Sequence, residues 1–323
     1  MARLSRVLLS LLVAAAPFAA HAADQYPTKP IRLIVPFPPA GGTDIMSRVV
    51  ATKLSEVAKW PVVVENHPGA GGNIGVSIAA KAENDGYTIV MGQTSNLAIN
   101  PTLYKHLPYK PVKDFSPITT VASAPLVLVV AANSPFKNLS DIIGAAKKEP
   151  GKVTFASPGN GTVAHMTIEL LQKSAGVKFE HVPYKGSAQA ITDLIGGYVQ
   201  VFMSSVPTAM SQIKSGRMRA IAVTGTERSD DLPKVPTVDE SGYKGFDAVT
   251  WFGLLAPKGT PPEVIKQVNE KVNQVLKMPD VRKRIELEGA SVLGSSPDQF
   301  ETLLKTDIVK WGAIVKESGA QID

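Results

Sequence analysis

Two glycine-containing loops have the composition of anion-binding sites. The first, Pro36–Asp44, lies between an apolar run and a helical pattern. The second, Ser157–Thr162, is followed by a helical pattern that carries His165. Glycine lets the backbone approach a ligand, and the first turn of a helix offers unpaired N–H groups and the positive end of its dipole. We therefore expect both loops to favour a carboxylate or a phosphate.

Each of these loops has a simpler interpretation, a glycine turn followed by a helix N-cap. The position of the loops favours binding, because each follows a predicted strand and each belongs to a different one of the two predicted lobes. Ligands of α/β proteins bind at the carboxyl ends of strands. The pair therefore predicts a clamp that holds one anion between two lobes.

The second loop also fits a dinucleotide-binding pattern. Residues 159–164 read Gly-Asn-Gly-Thr-Val-Ala, which matches G-x-G-x-x-G/A, and Glu180 stands where a ribose-binding carboxylate is expected. The alternative function is thus an exported NAD-binding oxidoreductase. Against it, the strand before this loop is not the first of its lobe, and an exported enzyme rarely has a soluble nicotinamide cofactor available.

The sequence lacks the common catalytic and metal-binding motifs. It contains no G-x-S-x-G, H-E-x-x-H or G-x-x-x-x-G-K-[ST] pattern, and it has no cysteine. His165 and His181 are not at metal-ligand spacing. We therefore expect a protein that is not an enzyme and that uses no cofactor or metal.

Short apolar runs alternate with helical patterns, which is typical of an α/β fold. The predicted strands are Ile31–Val35, Pro61–Glu65, Tyr87–Gly92, Pro125–Ala131, Val153–Ala156, Lys178–Val182, Val199–Met203, Arg219–Thr224 and Val249–Ala256. The main predicted helices are Thr43–Val57, Val76–Ala82, Ser140–Lys148, Val163–Ala175 and Pro262–Met278. Pro101–Pro117 is expected to be an extended connection. The pattern predicts two lobes, residues 23–124 with 226–323 and residues 125–225, with crossings near 124 and 226.

Residues 1–22 have the pattern of a cleaved signal peptide. Arg3 and Arg6 precede the apolar run Val7–Ala20, and Ala20-His21-Ala22 forms an A-x-A site. The apolar run is shorter than the ~20 residues needed to cross a bilayer. The formal net charge of the whole chain is +6, but basic and acidic residues interleave, so we expect no nucleic-acid binding.

Motifs spread along the chain resemble those of the tripartite tricarboxylate transporter substrate-binding proteins, also called Bug receptors. In the first part they are Tyr26-Pro27-x-Lys29-Pro30-Ile31, Pro36-Phe37, Gly41-Gly42-Thr43-Asp44, Glu65-Asn66-x-Pro68-Gly69-Ala70-Gly71-Gly72-Asn73-Ile74-Gly75, Asp85-Gly86-Tyr87-Thr88 and Asn100-Pro101-x-Leu103-Tyr104. Later come Gly161-Thr162-x-x-His165, Val182-Pro183-Tyr184-Lys185-Gly186, Val235-Pro236-Thr237 and Trp251-x-Gly253-Leu254-x-Ala256-Pro257. Each motif alone is weak, but together they are specific.

The resemblance implies a two-lobe (Venus flytrap) periplasmic binding protein, each lobe a sheet flanked by helices. It implies a monomer that closes around a small organic anion and delivers it to membrane transporter subunits. The ligand-binding residues that it implies are Phe37, Ala40, Gly41, Gly42, Thr94, Ser95, Ser157, Asn160, Gly161, Thr162, His165 and Ser204. The resemblance does not distinguish mono-, di- and tricarboxylates as ligands. It also does not distinguish a receptor that delivers to a transporter from one that delivers to a sensor. An interaction scaffold without a small ligand is a further alternative.

Overall fold

The computed structural model describes residues 26–39 and 41–322. The predicted signal peptide and Ala40 therefore lie outside the described residues. Within them the strands are β1 Ile31–Val35, β2 Val62–Asn66, β3 Thr88–Gln93, β4 Phe115–Ala131, β5 Thr154–Ser157, β6 Glu180–Pro183, β7 Val201–Ser205, β8 Met218–Val223, β9 Val249–Pro257 and β10 Ser291–Val292. The helices are α1 Gly42–Val57, α2 Asn73–Ala80, α3 Asn100–Leu103, α4 Pro111–Asp114, α5 Leu139–Lys148, α6 Val163–Ala175, α7 Ser187–Ile195, α8 Val206–Lys214, α9 Pro262–Leu276, α10 Pro279–Glu286 and α11 Pro297–Ser318.

The strands form two groups that share β4. The first sheet has the order β2-β1-β3-β9-β4-β10, in which β1 is parallel to β2 and β3. The second sheet has the order β8-β4-β7-β5-β6, in which β5 is parallel to β7 and β6. Residues 115–125 of β4 pair with β9, and residues 126–131 pair with β7 and β8. This α/β architecture is the predicted fold class.

Apolar residues at helical spacing bury one face of the long helices against the sheets. On α1 these are Met46, Val50 and Leu54, each at most 2% exposed, and they belong to one cluster with Val268 and Val272 of α9. Burying a side chain of this size stabilises the fold by roughly 1.5–3 kcal/mol. These contacts fix α1 on the first sheet, so that its N-terminus lies at the carboxyl end of β1.

The prediction of an extended connection over Pro101–Pro117 is wrong. This segment contains α3 and α4 and the start of β4. Its strand part is hard to recognise because Ser116, Pro117 and Thr119 interrupt the apolar pattern, and the pairing with β9 is irregular between Pro117 and Thr119. Pairing with β9 across the sheet, and not local propensity, makes these residues a strand.

Candidate functional site

Two connected cavities lie between the first and second sheets. The smaller has a volume of about 250 Å³ and the larger about 510 Å³. Both are lined by Phe37, Gln93, Leu126, Ser205 and Thr250. These five residues come from both sheets, so the two cavities form one cleft.

The N-terminus of α6 opens into the smaller cavity. Thr162 is the N-cap residue, and its Oγ1 accepts a hydrogen bond from the His165 amide at 3.2 Å. The first amides of a helix have no partner within the helix. Those of Val163 and Ala164, two residues that line the cavity, are therefore the donors that this helix can offer to an anion.

The N-terminus of α1 opens into the larger cavity in the same manner. Its N-cap residue is Gly41, which provides no side-chain cap, and Gly42 and Thr43 line the cavity. Their amides are the unpaired first amides of α1. The cleft thus receives two helix N-termini, one from each sheet.

Asn66 holds the loop before α1 in place. Its Nδ2 donates to the carbonyl oxygen of Phe37 at 3.0 Å and to Oδ1 of Asp44 at 2.9 Å. Asp44 also forms an ion pair with Arg48, with Nε and Oδ2 2.9 Å apart. The guanidinium of Arg48 thus compensates the carboxylate of Asp44, which would otherwise oppose an anion at this helix N-terminus.

Two histidines and a serine support the second loop from behind. Ser157 Oγ lies 2.7 Å from His181 Nε2 and accepts a hydrogen bond from the Gly159 amide at 3.2 Å. The amide of Gly161 donates to His165 Nδ1 at 3.2 Å. Burial, and to a lesser extent the electrostatic effect of the adjacent His165 ring, lower the pKa of His181 to about 4. The Gly161 amide is thus engaged by His165 and is not a donor to the cleft.

The structure brings most of the sequence-predicted residues to the cleft. Those that line it are Phe37, Gly41, Gly42, Ser95, Asn160, Gly161 and Thr162. Ser157 and His165 are buried behind the second loop, and Ala40 lies outside the described residues. Lining the cleft is a statement of location, and the binding role of each residue stays a prediction.

Two of the predicted pocket side chains lie away from the cleft. Thr94 Oγ1 donates to the carbonyl of Val249 at 3.2 Å and accepts from the Trp251 amide at 2.9 Å. Ser204 is fully buried in β7. Successive side chains of a strand point to opposite faces, and it is Ser205 that lines both cavities. Of these neighbouring positions, the predicted Ser95 and the unpredicted Ser205 line the cleft, whereas Thr94 and Ser204 do not.

Sequence reasoning missed several residues of the cleft. They include Gln93, Leu103, Tyr104, Thr250 and Ile322. Gln93 is the last residue of β3, a polar residue at a strand's carboxyl end, and this signal could have found it. Thr250 and Ile322 come from distant parts of the chain, and no local pattern marks them.

The smaller cavity is lined by uncharged groups, whereas Glu288 adds a carboxylate to the lining of the larger cavity. No Lys, Arg, Asp or Glu is among the described residues that line the smaller cavity. Within residues 26–39 and 41–322, no group of three or more His, Asp or Glu side chains could hold a metal ion. Backbone amides, hydroxyls and side-chain amides are the groups that could bind a ligand in the smaller cavity.

The expected ribose partner of the dinucleotide pattern is in the wrong place. Glu180 is the first residue of β6 and pairs with Thr154, whereas the loop follows Ser157, which pairs with Pro183. At ~3.3 Å per residue, Glu180 lies about 10 Å from the level of Ser157, towards the amino end of β6. The prediction that Glu180 binds a ribose is therefore wrong, because this residue lies at the start of β6 and not at its carboxyl end. This position disfavours a dinucleotide bound at the second loop.

Comparison with known proteins identifies the family. Residues 46–320 match the sequence model of a family described as "Tripartite tricarboxylate transporter family receptor". The chain belongs to this receptor family. BugT of Bordetella pertussis is 39% identical over 323 residues, which cover 100% of this chain and 99% of BugT. The predicted family is thereby confirmed.

Solved structures of receptor proteins superpose on the chain. The periplasmic binding protein BugD is 35% identical with a TM-score of 0.76, covering 92% of this chain and 99% of BugD. Rpa4515 from R. palustris, solved with adipate, is 32% identical with a TM-score of 0.81, covering 92% of this chain and 100% of Rpa4515. The predicted class, a periplasmic-binding-protein fold, is confirmed. In the described part of the receptor, no helix is long and apolar enough to span a bilayer.

Proposed function

We propose that this receptor binds a small organic carboxylate in its cleft and performs no chemical step on it. One observation carries the proposal: the N-termini of α1 and α6 open into the same cleft from opposite sheets. Both ends carry partial positive charge and unpaired amides. Rpa4515 was solved with adipate, which supports a carboxylate as the ligand class.

The ligand-binding groups follow from this arrangement. The amides of Gly42 and Thr43 would bind from the first sheet, and those of Val163 and Ala164 from the second. Phe37, Ser95, Asn160, Thr162 and Ser205 would complete the contact surface. Because the smaller cavity is lined by uncharged residues, specificity would depend on hydrogen bonding and cavity shape.

Binding would close the two lobes. We place the lobes at residues 23–124 with 226–323 and at residues 125–225, with hinges where the chain crosses near 124 and 226. The ligand would first bind the amides of one lobe, and closure would add those of the other and exclude water. Low local dielectric strengthens each hydrogen bond, and the ligand favours closure only by binding the closed state better.

The cellular role would be capture and delivery. Residues 1–22 would direct export to the periplasm, where the receptor acts as a monomer. The closed form would then dock on the membrane subunits of a tripartite tricarboxylate transporter. The family description supports this partner.

The proposal is tested by thermal unfolding of the chain from Ala23 against a panel of mono-, di- and tricarboxylates, with NAD included. A ligand at ~100 times its dissociation constant stabilises the folded state by about 2.7 kcal/mol. For a chain of about 300 residues, with an unfolding entropy of roughly 2.1 cal/mol/K per residue, that raises the midpoint by about 4 °C. A shift with one acid class supports the proposal. A shift with NAD alone, or with nothing in the panel, contradicts it.

A further inference from the structure

The segment after α11 is attached to the first sheet's side of the cleft. Ile322 donates its amide to the Leu103 carbonyl at 2.9 Å, and its carbonyl accepts from the Lys105 amide at 3.1 Å. These two bonds form a short parallel bridge between Tyr104 and Ile322. These hydrogen bonds fix the position of the Ile322 backbone and therefore the direction of its side chain.

That side chain lines the smaller cavity, next to the loop of the second sheet. Ile322 and Gly161 both line the cavity. A Cβ placed on Gly161 would lie 3.4 Å from Ile322 Cδ1 and would collide with Leu103. At the other end of α6, Lys173 forms an ion pair with Glu317 of α11, with Nζ and Oε2 2.9 Å apart. The end of the described chain thus contacts both sides of the cleft.

We propose that Ile322 is a ligand-positioning residue that limits the length of the acid the receptor accepts. The inference rests on the proposed function. The Ile322 side chain forms part of the apolar wall beside the first amides of α6, where an acid group would be bound. Whatever extends from that acid group has to fit against this wall. The family match ends at residue 320, so Ile322 lies outside the matched segment.

The test measures dissociation constants by calorimetry for acetate, butyrate, succinate, glutarate and adipate. The variants are I322A, the conservative I322L and the matched control Q321A, since Gln321 is exposed. Removing the partly buried methyl and methylene groups of Ile322 should weaken binding of the best wild-type ligand by about tenfold. It should also move the preference of I322A to acids longer by one or two methylene groups. I322L should keep the wild-type order, and Q321A should match wild type.

A role in folding alone would weaken all five acids equally and leave their order unchanged, and that result overturns the inference. A ligand-free measurement separates this outcome from failure of the proposed function. Hydrogen–deuterium exchange of the peptide covering residues 158–164 should be faster in I322A than in wild type and Q321A. If wild type binds none of the five acids, this proposed ligand class fails. In that case, unchanged exchange in I322A overturns the placement of Ile322 as well.

Discussion

The imidazole rings of His165 and His181 stack with their centroids 3.9 Å apart and their planes 7° apart. The pair lies behind the loop that precedes α6, and each ring bonds a different part of it. His165 accepts from the Gly161 amide, and His181 bonds Ser157. The stack therefore sets the loop's shape, and two protonated rings so close together would repel each other.

Stability should fall in mild acid because of His181. Its pKa is lowered from 6.5 to about 4 in the folded state, mainly by burial and to a lesser extent by the electrostatic effect of the adjacent His165 ring. Between these values the unfolded chain binds more protons, so the stabilisation is complete above pH 6.5 and is lost as the pH falls towards 4. The measurement is the free energy of unfolding by denaturant at intervals from pH 7 to 4.5.

H181Q removes the titrating group and should flatten this dependence relative to wild type. The control is H106Q, since His106 is exposed. Equal slopes for wild type and H181Q between pH 6.5 and 4.5 would show that His181 is not responsible.

Replacing Gly161 should weaken ligand binding. Gly161 has φ +72°, and an added Cβ would meet Leu103 across the cleft. G161A should therefore hinder closure and raise the dissociation constant at least tenfold. Gly176 offers a matched control, because its φ is +62° and no atom lies within 4 Å of an added Cβ.

Both alanine variants should lose about 1–2 kcal/mol of stability, since both place alanine in the left-handed region. Only G161A should lose affinity. If G176A weakens binding as much as G161A does, the effect comes from backbone strain and not from the contact with Leu103.

Asn66 should affect affinity without touching the ligand. N66A removes the hydrogen bonds to Phe37 and Asp44, so the loop before α1 loses its fixed shape. We expect the dissociation constant of the ligand to be three- to tenfold higher, in keeping with the ~1 kcal/mol that a typical hydrogen bond contributes. N84A is the control, because Asn84 is exposed and bonds the Lys258 carbonyl. Calorimetry showing equal affinities for N66A and N84A would refute the role of Asn66.

Asp307 should matter for stability. Trp251 Nε1 donates to Asp307 Oδ2 at 2.6 Å, and both residues are buried. D307L leaves the indole N–H without an acceptor, which costs about 1–3 kcal/mol. D307N keeps an acceptor and should lose less. Denaturant unfolding that shows D307N to be as destabilised as D307L would contradict this explanation.

Much of the fold could be predicted from the sequence. The strand Ile31–Val35 has the predicted bounds, and most other strands differ by one or two residues. These strands are short, apolar and bounded by turn residues, so local pattern is sufficient. The first half of β4 was missed, because its polar residues become a strand only through pairing with β9.

The site was predictable only as far as its loops. Glycine followed by a helical pattern marked both helix N-termini, which is a local signal. Which amides remain free depends on their partners. Because His165 accepts from the Gly161 amide, the donors are the amides two and three residues further on, those of Val163 and Ala164. Ile322 reaches the cleft through a bridge to Tyr104, more than 200 positions earlier in the sequence. Such contacts leave no local trace.

The most direct test of the account is the backbone ¹H–¹⁵N spectrum of the chain from Ala23, recorded with and without the acid that gives the largest thermal shift. We predict that the amides of Gly42, Thr43, Val163 and Ala164 shift together at one ligand concentration, because one anion is bound between two helix N-termini. Shifts confined to one of the two helices, or to residues outside the cleft, would contradict the proposed clamp.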